Sequence, residues 1–304
     1  MSTPPVVAAV DGSDDSLRAL DWALDAARRR RAPLRVVHVR QYAPWTQPDV
    51  LVTGPPTDAG DEVLDAARAH VAAQGDTGTD VGYDGLDGLP GALLPELGAT
   101  AQLLVLGSRG RGGFRSLLLG SNGLAAARDA ECPVVVVPRP GREVDDDEAP
   151  AVAPGPRVVA GLNVDSPDDA VLAFAFAEAA LRGARVQVVT AYPWPVRTWG
   201  AAAGEVPMPV IAQDEVESEV GTLADGFLAP HRTRHPDVPA EVQVLPGDAA
   251  GRLVGASRDA ELVVVGRHRR RLLAPARMMG SVTQAVLLHA PGPVAVIPPS
   301  PPEE

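Results

Sequence analysis

The chain contains two copies of one sequence pattern, and this repeat constrains the fold more than any other feature. The apolar segment 6–11 ends in Asp, and segment 158–163, which lies 152 positions further on, ends in Asn. Segments 36–39 and 188–191 are separated by the same offset. Blocks that recur in the same order predict two copies of one structural unit.

Each copy alternates apolar runs with helical patterns. In the first copy, strands are predicted near residues 6–10, 34–39, 81–83, 103–106 and 134–137. Helices are predicted between them, from Ser13 as N-cap, over about 58–74, over 92–99 and from about Ser121. Alternation of this kind predicts an α/β fold with a parallel sheet covered on both faces.

The domain boundary is predicted from composition. Residues 139–156 combine several prolines with an acidic run and have little apolar surface to bury, which is typical of a linker. We therefore predict a first domain over 1–138 and a second over 157–298. A short tail follows at 299–304.

Composition excludes several classes of function. All 27 basic residues are Arg, so a P-loop lysine and a Schiff-base lysine are impossible. The net charge of −12 disfavours nucleic acid and anionic membranes as partners. A single Cys excludes an intramolecular disulfide, and no metal-ligand spacing occurs. With no secretory signal and no long apolar run, we expect a cytoplasmic protein.

A glycine motif follows the fourth predicted strand. Gly107 and Gly110 come directly after the apolar run 103–106, and Gly120-Ser121 precedes a predicted helix. Glycines at a helix N-terminus let backbone N–H groups approach phosphate oxygens closely. The motif therefore predicts a phosphate site, with Ser121 as the helix cap.

Together these motifs resemble the universal stress protein family, in its tandem form. The resemblance rests on the Val-Asp-Gly-Ser segment at 10–13, His38-Val39, the glycine motif and the closing Cys-Pro-Val run at 132–137. It implies two Rossmann-like, five-stranded parallel-sheet α/β sandwich domains in tandem, an adenine nucleotide α-hydrolase-like fold. It also implies an ATP-binding stress-response regulator rather than an enzyme, with weak ATP hydrolysis at most. AMP or cyclic AMP are alternative ligands, and Mg²⁺ can accompany ATP.

The resemblance carries nucleotide contacts over by position. In the first copy these are Ala9, Val10, Asp11, Val39, Gly107, Arg109, Gly110, Arg111, Gly120, Ser121 and Asn122. In the second copy they are Gly161, Asn163, Ala191, Gly266, Gly280 and Ser281. No catalytic residue and no metal ligand is assigned.

The second copy departs from the family pattern. Asn163 replaces Asp11, and Arg269 replaces Gly110. Ten residues separate Arg269 from Gly280-Ser281, whereas nine separate Gly110 from Gly120-Ser121. We therefore expect nucleotide mainly in the first domain. For the second copy two interpretations stay open: Arg267 and the arginines at 269–271 hold phosphate by their side chains, or this basic turn is solvated.

Two further function classes remain as alternatives. One is a nucleotide-hydrolysing or nucleotidyl-transferring enzyme of the same fold group, and the other is a scaffold without nucleotide. His38 is predicted to be a packed, hydrogen-bonded strand residue, and Cys132 is predicted to be structural. The apolar closing strands 134–137 and 294–297 should pair with each other inside one chain, with a homodimer of whole chains beyond that.

Overall fold

A computed structural model describes residues 3–41, 60–109, 119–141, 155–193, 213–267 and 279–299. The chain divides into two compact units. Unit 1 comprises Met1–Gly141, Arg267–Met279 and Pro293–Pro298, and unit 2 comprises Arg142–Gly266, Gly280–Gly292 and Pro299–Glu304. The domain bounds 1–138 and 157–298 stay a prediction.

Strands and helices alternate in the first copy as predicted. Its elements are β1 (Val6–Val10), α1 (Asp14–Arg30), β2 (Leu34–Arg40), α2 (Glu62–Ala73), β3 (Val81–Asp87), α3 (Pro90–Leu97), β4 (Leu103–Gly107), α4 (Ser121–Asp129) and β5 (Val134–Val137). The strand order is β3-β2-β1-β4-β5, and every neighbouring pair is parallel. The chain runs outward from β1 in both directions, so a switch point lies between β1 and β4.

The second copy repeats this pattern. Its elements are β6 (Arg157–Gly161), α5 (Asp169–Arg182), β7 (Arg185–Tyr192), α6 (Gln213–Arg234), β8 (Ala240–Pro246), α7 (Ala249–Ala256), β9 (Leu262–Gly266), α8 (Ser281–His289) and β10 (Val294–Ile297). In unit 2, β6 pairs in parallel with β7 and β9, and β7 pairs in parallel with β8. The predicted Rossmann-like α/β fold is confirmed.

The closing strand of the chain belongs to unit 1. β10 pairs with β5 in antiparallel register, with Val294 opposite Val136 and Val296 opposite Val134. All the residues of both strands are buried. The predicted pairing of the two closing strands is therefore confirmed, while the dimer of whole chains stays a prediction.

The cores are built from small aliphatic side chains, as the low aromatic content requires. The central strand β1 is almost fully buried, and α1 packs Ala23 and Leu24 against the sheet. Ser13 caps α1 as predicted, since its Oγ accepts the Ser16 N–H at 3.2 Å. α2 begins at Glu62, later than predicted, because the Asp61 carboxylate caps its first N–H groups.

His38 and Cys132 have the structural roles predicted for them. His38 Nδ1 lies 2.8 Å from Asp61 Oδ1. Burial alone would raise the pKa of Asp61, but hydrogen bonds from His38 and the Leu64 N–H outweigh it and lower that pKa. Burial raises the pKa of the Cys132 thiol to about 11, so the thiol is unreactive near neutral pH. Among the described helices, none is both long and apolar enough to cross a bilayer.

Candidate functional site

A cavity of about 420 Å³ lies in unit 1 at the carboxyl ends of β1, β2 and β4. This is the location at which open α/β sheets bind ligands. The structure brings nine of the predicted contacts together around it: Ala9, Val10, Asp11, Val39, Gly107, Arg109, Gly120, Ser121 and Asn122. Gly110 and Arg111 lie outside the described residues.

One wall of the cavity is apolar. Val37 and Val39 project from β2, and Pro90 and Leu94 from α3. The nucleotide contacts predicted from the sequence do not include Val37, Pro90 or Leu94. Two spacings could have indicated them, because Val37 lies two residues before Val39 on the same strand face and Leu94 lies four residues after Pro90 on one helix face. A wall of this kind can hold a flat, weakly polar group such as a purine base.

The N-terminus of α4 forms another part of the cavity lining. Its N-cap is Gly120, in an extended conformation, and Gly120 supplies no side-chain cap. The prediction that Ser121 caps α4 is therefore wrong: Ser121 is the first helical residue, one position too late for its hydroxyl to act as the cap. Gly120, Ser121, Asn122 and Gly123 all line the cavity. An uncapped helix N-terminus that opens into a cavity is suited to an anion.

Ser108 fixes both ends of the loop between β4 and α4. Its carbonyl oxygen accepts the Gly120 N–H at 2.8 Å, and its own N–H donates to the Val137 carbonyl at 2.9 Å. Ser108 lines the cavity and is almost fully buried. The sequence analysis did not assign it, because Ser within a glycine motif looks like an ordinary loop residue.

Asp11 is held in place by its own turn. The Ser13 hydroxyl donates to Asp11 Oδ1 at 2.6 Å, and the Ser13 N–H donates to the same oxygen at 3.1 Å. The Ser13 hydroxyl also lies 3.4 Å from the Arg109 carbonyl oxygen. The carboxylate at the end of β1 is thus oriented before any ligand binds.

Gly107 has a packing role in addition to lining the cavity. A Cβ on Gly107 would lie 2.7 Å from the carbonyl carbon and oxygen of Asp15 and 3.0 Å from the Ser16 nitrogen. Only glycine therefore allows the first turn of α1 to approach β4 this closely. Ser16, which also lines the cavity, is brought there by the same approach.

The matching region of unit 2 is built differently. The loop between β6 and α5 spans 162–168, whereas the loop between β1 and α1 spans 11–13. Asp168 caps α5, and its carboxylate lies 3.4 Å from the position of a Cβ on Gly266. Asn163 Oδ1 accepts the Asp165 N–H at 3.1 Å and closes a turn in the longer loop. An acidic group thus lies beside the second glycine motif.

The second copy also has a close contact between a helix and a strand at Gly161. A Cβ on Gly161 would lie 3.0 Å from Leu253 Cδ1, so α7 packs close to β6. Ala191 lies on β7, and Gly280 caps α8, without a side-chain cap, directly before Ser281. The structure gives these positions the same order along the elements of unit 2 as their counterparts have in unit 1.

Arg267 contacts the end of α4, while a role in holding phosphate stays a hypothesis. Its guanidinium donates to the carbonyl oxygens of Ala127 and Arg128, at the C-terminal end of α4. A cation at this end of a helix stabilises the last carbonyl groups. Arg269 and the residues after it up to 271 lie outside the described residues. Within the described residues, no cluster of three or more His, Cys, Asp or Glu side chains could hold a metal.

A profile of the universal stress protein family matches residues 3–138 and 156–298. The chain belongs to the universal stress protein family. A universal stress protein of Mycobacterium tuberculosis is 32% identical over 300 residues, which cover 96% of each chain. One of Mycolicibacterium smegmatis is 28% identical over 303 residues, which cover 97% of each chain.

Solved structures agree with this assignment at the level of the fold. A universal stress protein from Archaeoglobus fulgidus has a TM-score of 0.62 at 16% identity, over 97% of this chain and 98% of that one. The likeness extends over both copies, so the tandem arrangement of this chain is shared by a solved member of the family.

Proposed function

We propose that the chain binds an adenine nucleotide in the unit 1 cavity, with ATP as the main ligand, and that it acts as a stress-response regulator. We also propose that it does so in the cytoplasm. The observation that carries the proposal is that one cavity is lined both by the N-terminus of α4, whose N-cap Gly120 has no side chain, and by apolar residues of β2 and α3. The helix N-terminus suits a phosphate group, and the apolar residues suit a base. Membership of the universal stress protein family supports the same class of function.

The cavity is better suited to binding than to turnover. Asp11 and Arg109 are the ionisable residues among the described residues that line it. The N–H and the hydroxyl of Ser13 both donate to Oδ1 of Asp11 and hold this carboxylate in one orientation. A regulator that holds its nucleotide agrees with this arrangement, and we expect ATP hydrolysis to be slow.

The proposal is tested by isothermal titration of the full chain with ATP, ADP, AMP and cyclic AMP, with and without Mg²⁺. A matched pair of variants locates the site, because Ser121 and Ser281 are both exposed first residues of an uncapped helix. Glu at such a position favours the helix but repels phosphate. We expect Ser121→Glu to weaken ATP binding at least about tenfold, or about 1.4 kcal/mol.

The control variant Ser281→Glu should leave the tight site unchanged. If Ser281→Glu weakens ATP binding and Ser121→Glu does not, nucleotide binds in unit 2 and the proposed location is wrong. If the wild-type chain binds none of the four nucleotides, the proposed function is wrong.

A further inference from the structure

We propose that Asp15 positions the loop after β4 for ligand binding, and that Arg139 supports it from the segment that follows β5. Occupancy of the unit 1 cavity and anchoring of that segment are then thermodynamically linked. The inference rests on the proposed function, but it concerns residues outside the cavity wall.

Asp15 is a buried carboxylate with several partners. It is 1% exposed and lies in the first turn of α1. Its Oδ1 accepts hydrogen bonds from Arg18 and, at 3.3 Å, from Arg139 Nε. Its Oδ2 accepts from the Ser108 hydroxyl at 3.4 Å. A buried charge is tolerated only with such partners, so the loss of one partner is felt by the others.

The first connection runs from Asp15 to the cavity. Ser108 is the residue whose backbone holds Gly120 and thereby sets where the loop returns to α4. The backbone of Asp15 also packs close to Gly107, since a Cβ on Gly107 would lie 2.7 Å from the Asp15 carbonyl group. Asp15 therefore controls the position of the loop base through a side-chain contact and a backbone contact.

The second connection runs from Asp15 to the end of the first copy. Arg139 lies two residues after β5 and begins the predicted linker. Its side chain is about half exposed, whereas the Asp15 carboxylate that it meets is buried. The segment after β5 is thus tied to the same carboxylate that holds the loop base, although Arg139 does not line the cavity.

The described residues at the matching positions of the second copy differ. Ser13 and Asp168 are the matching N-caps, so Ala170 occupies the position of Asp15 in α5. Arg267 follows Gly266 where Ser108 follows Gly107, and it contacts α4. The buried carboxylate in the first turn of α1 therefore has no counterpart at the same position of α5.

A double-mutant cycle tests the proposal. ATP affinity is measured for the wild-type chain, Asp15→Asn, Arg139→Gln and the double variant. If Asp15 positions the loop, each single variant weakens ATP binding about three- to tenfold. The double variant then binds ATP no more weakly than the single variant with the lower affinity. If the charges act only through space, Asp15→Asn strengthens ATP binding, because it removes a negative charge near the phosphate.

Three controls separate positioning from general damage. Arg139→Lys keeps the charge and should restore most of the affinity. Arg29→Gln removes an exposed ion pair with Asp25 near the other end of α1 and should change nothing. Adenosine binding should be nearly unchanged in all variants, since adenosine has no phosphate for the loop to hold.

Each outcome decides the inference. Unchanged ATP affinity in Arg139→Gln, independent effects in the double variant, or an equal loss for adenosine would overturn the linkage while leaving the proposed function in place. If the wild-type chain binds none of ATP, ADP, AMP and cyclic AMP, the proposed function and the linkage are both wrong.

Discussion

At the scale of single residues, Gly107 shows how packing and ligand binding share one position. The sequence predicts that Gly107 allows backbone to approach phosphate, and the structure adds a requirement of packing. A Cβ at this residue would lie 2.7 Å from the backbone of α1. That requirement could not be predicted, because Asp15 and Gly107 are far apart in sequence. Ser108 was missed for the same reason: its partners Asp15, Gly120 and Val137 come from three different elements.

Gly107→Ala should lower the free energy of unfolding by about 1–3 kcal/mol, because the added methyl group overlaps backbone that cannot move without shifting α1. It should also weaken ATP binding, since the loop base moves with it. Urea unfolding and titration measure the two effects. The matched control is Gly82→Ala on β3, where no atom lies within 4 Å of an added Cβ. We expect Gly82→Ala to change stability by less than about 0.5 kcal/mol, and a similar cost at both positions would contradict the packing argument.

At the scale of elements, the existence and order of helices and strands followed from the sequence, whereas their ends often did not. The apolar runs and helical spacings located the elements of the first copy because each buries one side against the sheet. From the Gly-Ser pair before α4, Ser121 is predicted as the cap, although a glycine can also occupy that position. The extended backbone of Gly120 shows that Gly120 does so.

Helix α6 gives a prediction on pH. His231 is fully buried, its Nε2 lies 2.9 Å from Asp169 Oδ1, and its ring stacks on Phe176. Burial lowers the pKa of His231 below its ordinary value of 6.5, although Asp169 opposes the shift; Arg234 and His235 also lower it. The unfolded chain therefore takes up a proton more readily than the folded one, and stability is lost as the pH falls through and below about 6.5.

We expect the wild-type chain to lose more stability between about pH 7.5 and about pH 5.5 than His231→Gln does, because glutamine does not titrate. Urea unfolding at both pH values measures the difference. The comparison variant is His70→Gln on α2, where the histidine side chain is partly exposed. A wild-type pH dependence that His231→Gln leaves unchanged would show that His231 is not responsible for it.

At the scale of the whole molecule, two copies of one pattern have acquired different sites. The repeat and its tandem fold could be predicted, since periodic apolar blocks are visible in the sequence. The positions of Asp168 beside Gly266 and of Leu253 beside Gly161 could not, because they depend on how a longer loop and a helix pack. The different packing around Gly161 and Gly266 agrees with unequal nucleotide sites. The inequality itself, inferred from Asn163 and Arg269, stays a prediction.

Titration should therefore give one tight adenine-nucleotide site per chain, with any second site weaker by at least about tenfold, or about 1.4 kcal/mol. The physical reason is that Asn163 and Arg269 replace Asp11 and Gly110 of the first copy, and that the loop before α5 is longer than the loop before α1. The measured number of sites and the two dissociation constants check this. Two sites of equal affinity would contradict it.

The pairing of β10 with β5 also has a consequence for the order of events during synthesis. The partner of Val134 is Val296, so this strand pair forms roughly 160 residues after β5 has left the ribosome. Until then the apolar edge of β5 has no β10 beside it, and an uncovered apolar edge promotes association with other chains. β10 therefore protects the edge of the first copy, and a chain cut short before β10 should be more prone to aggregate than the chain that contains it.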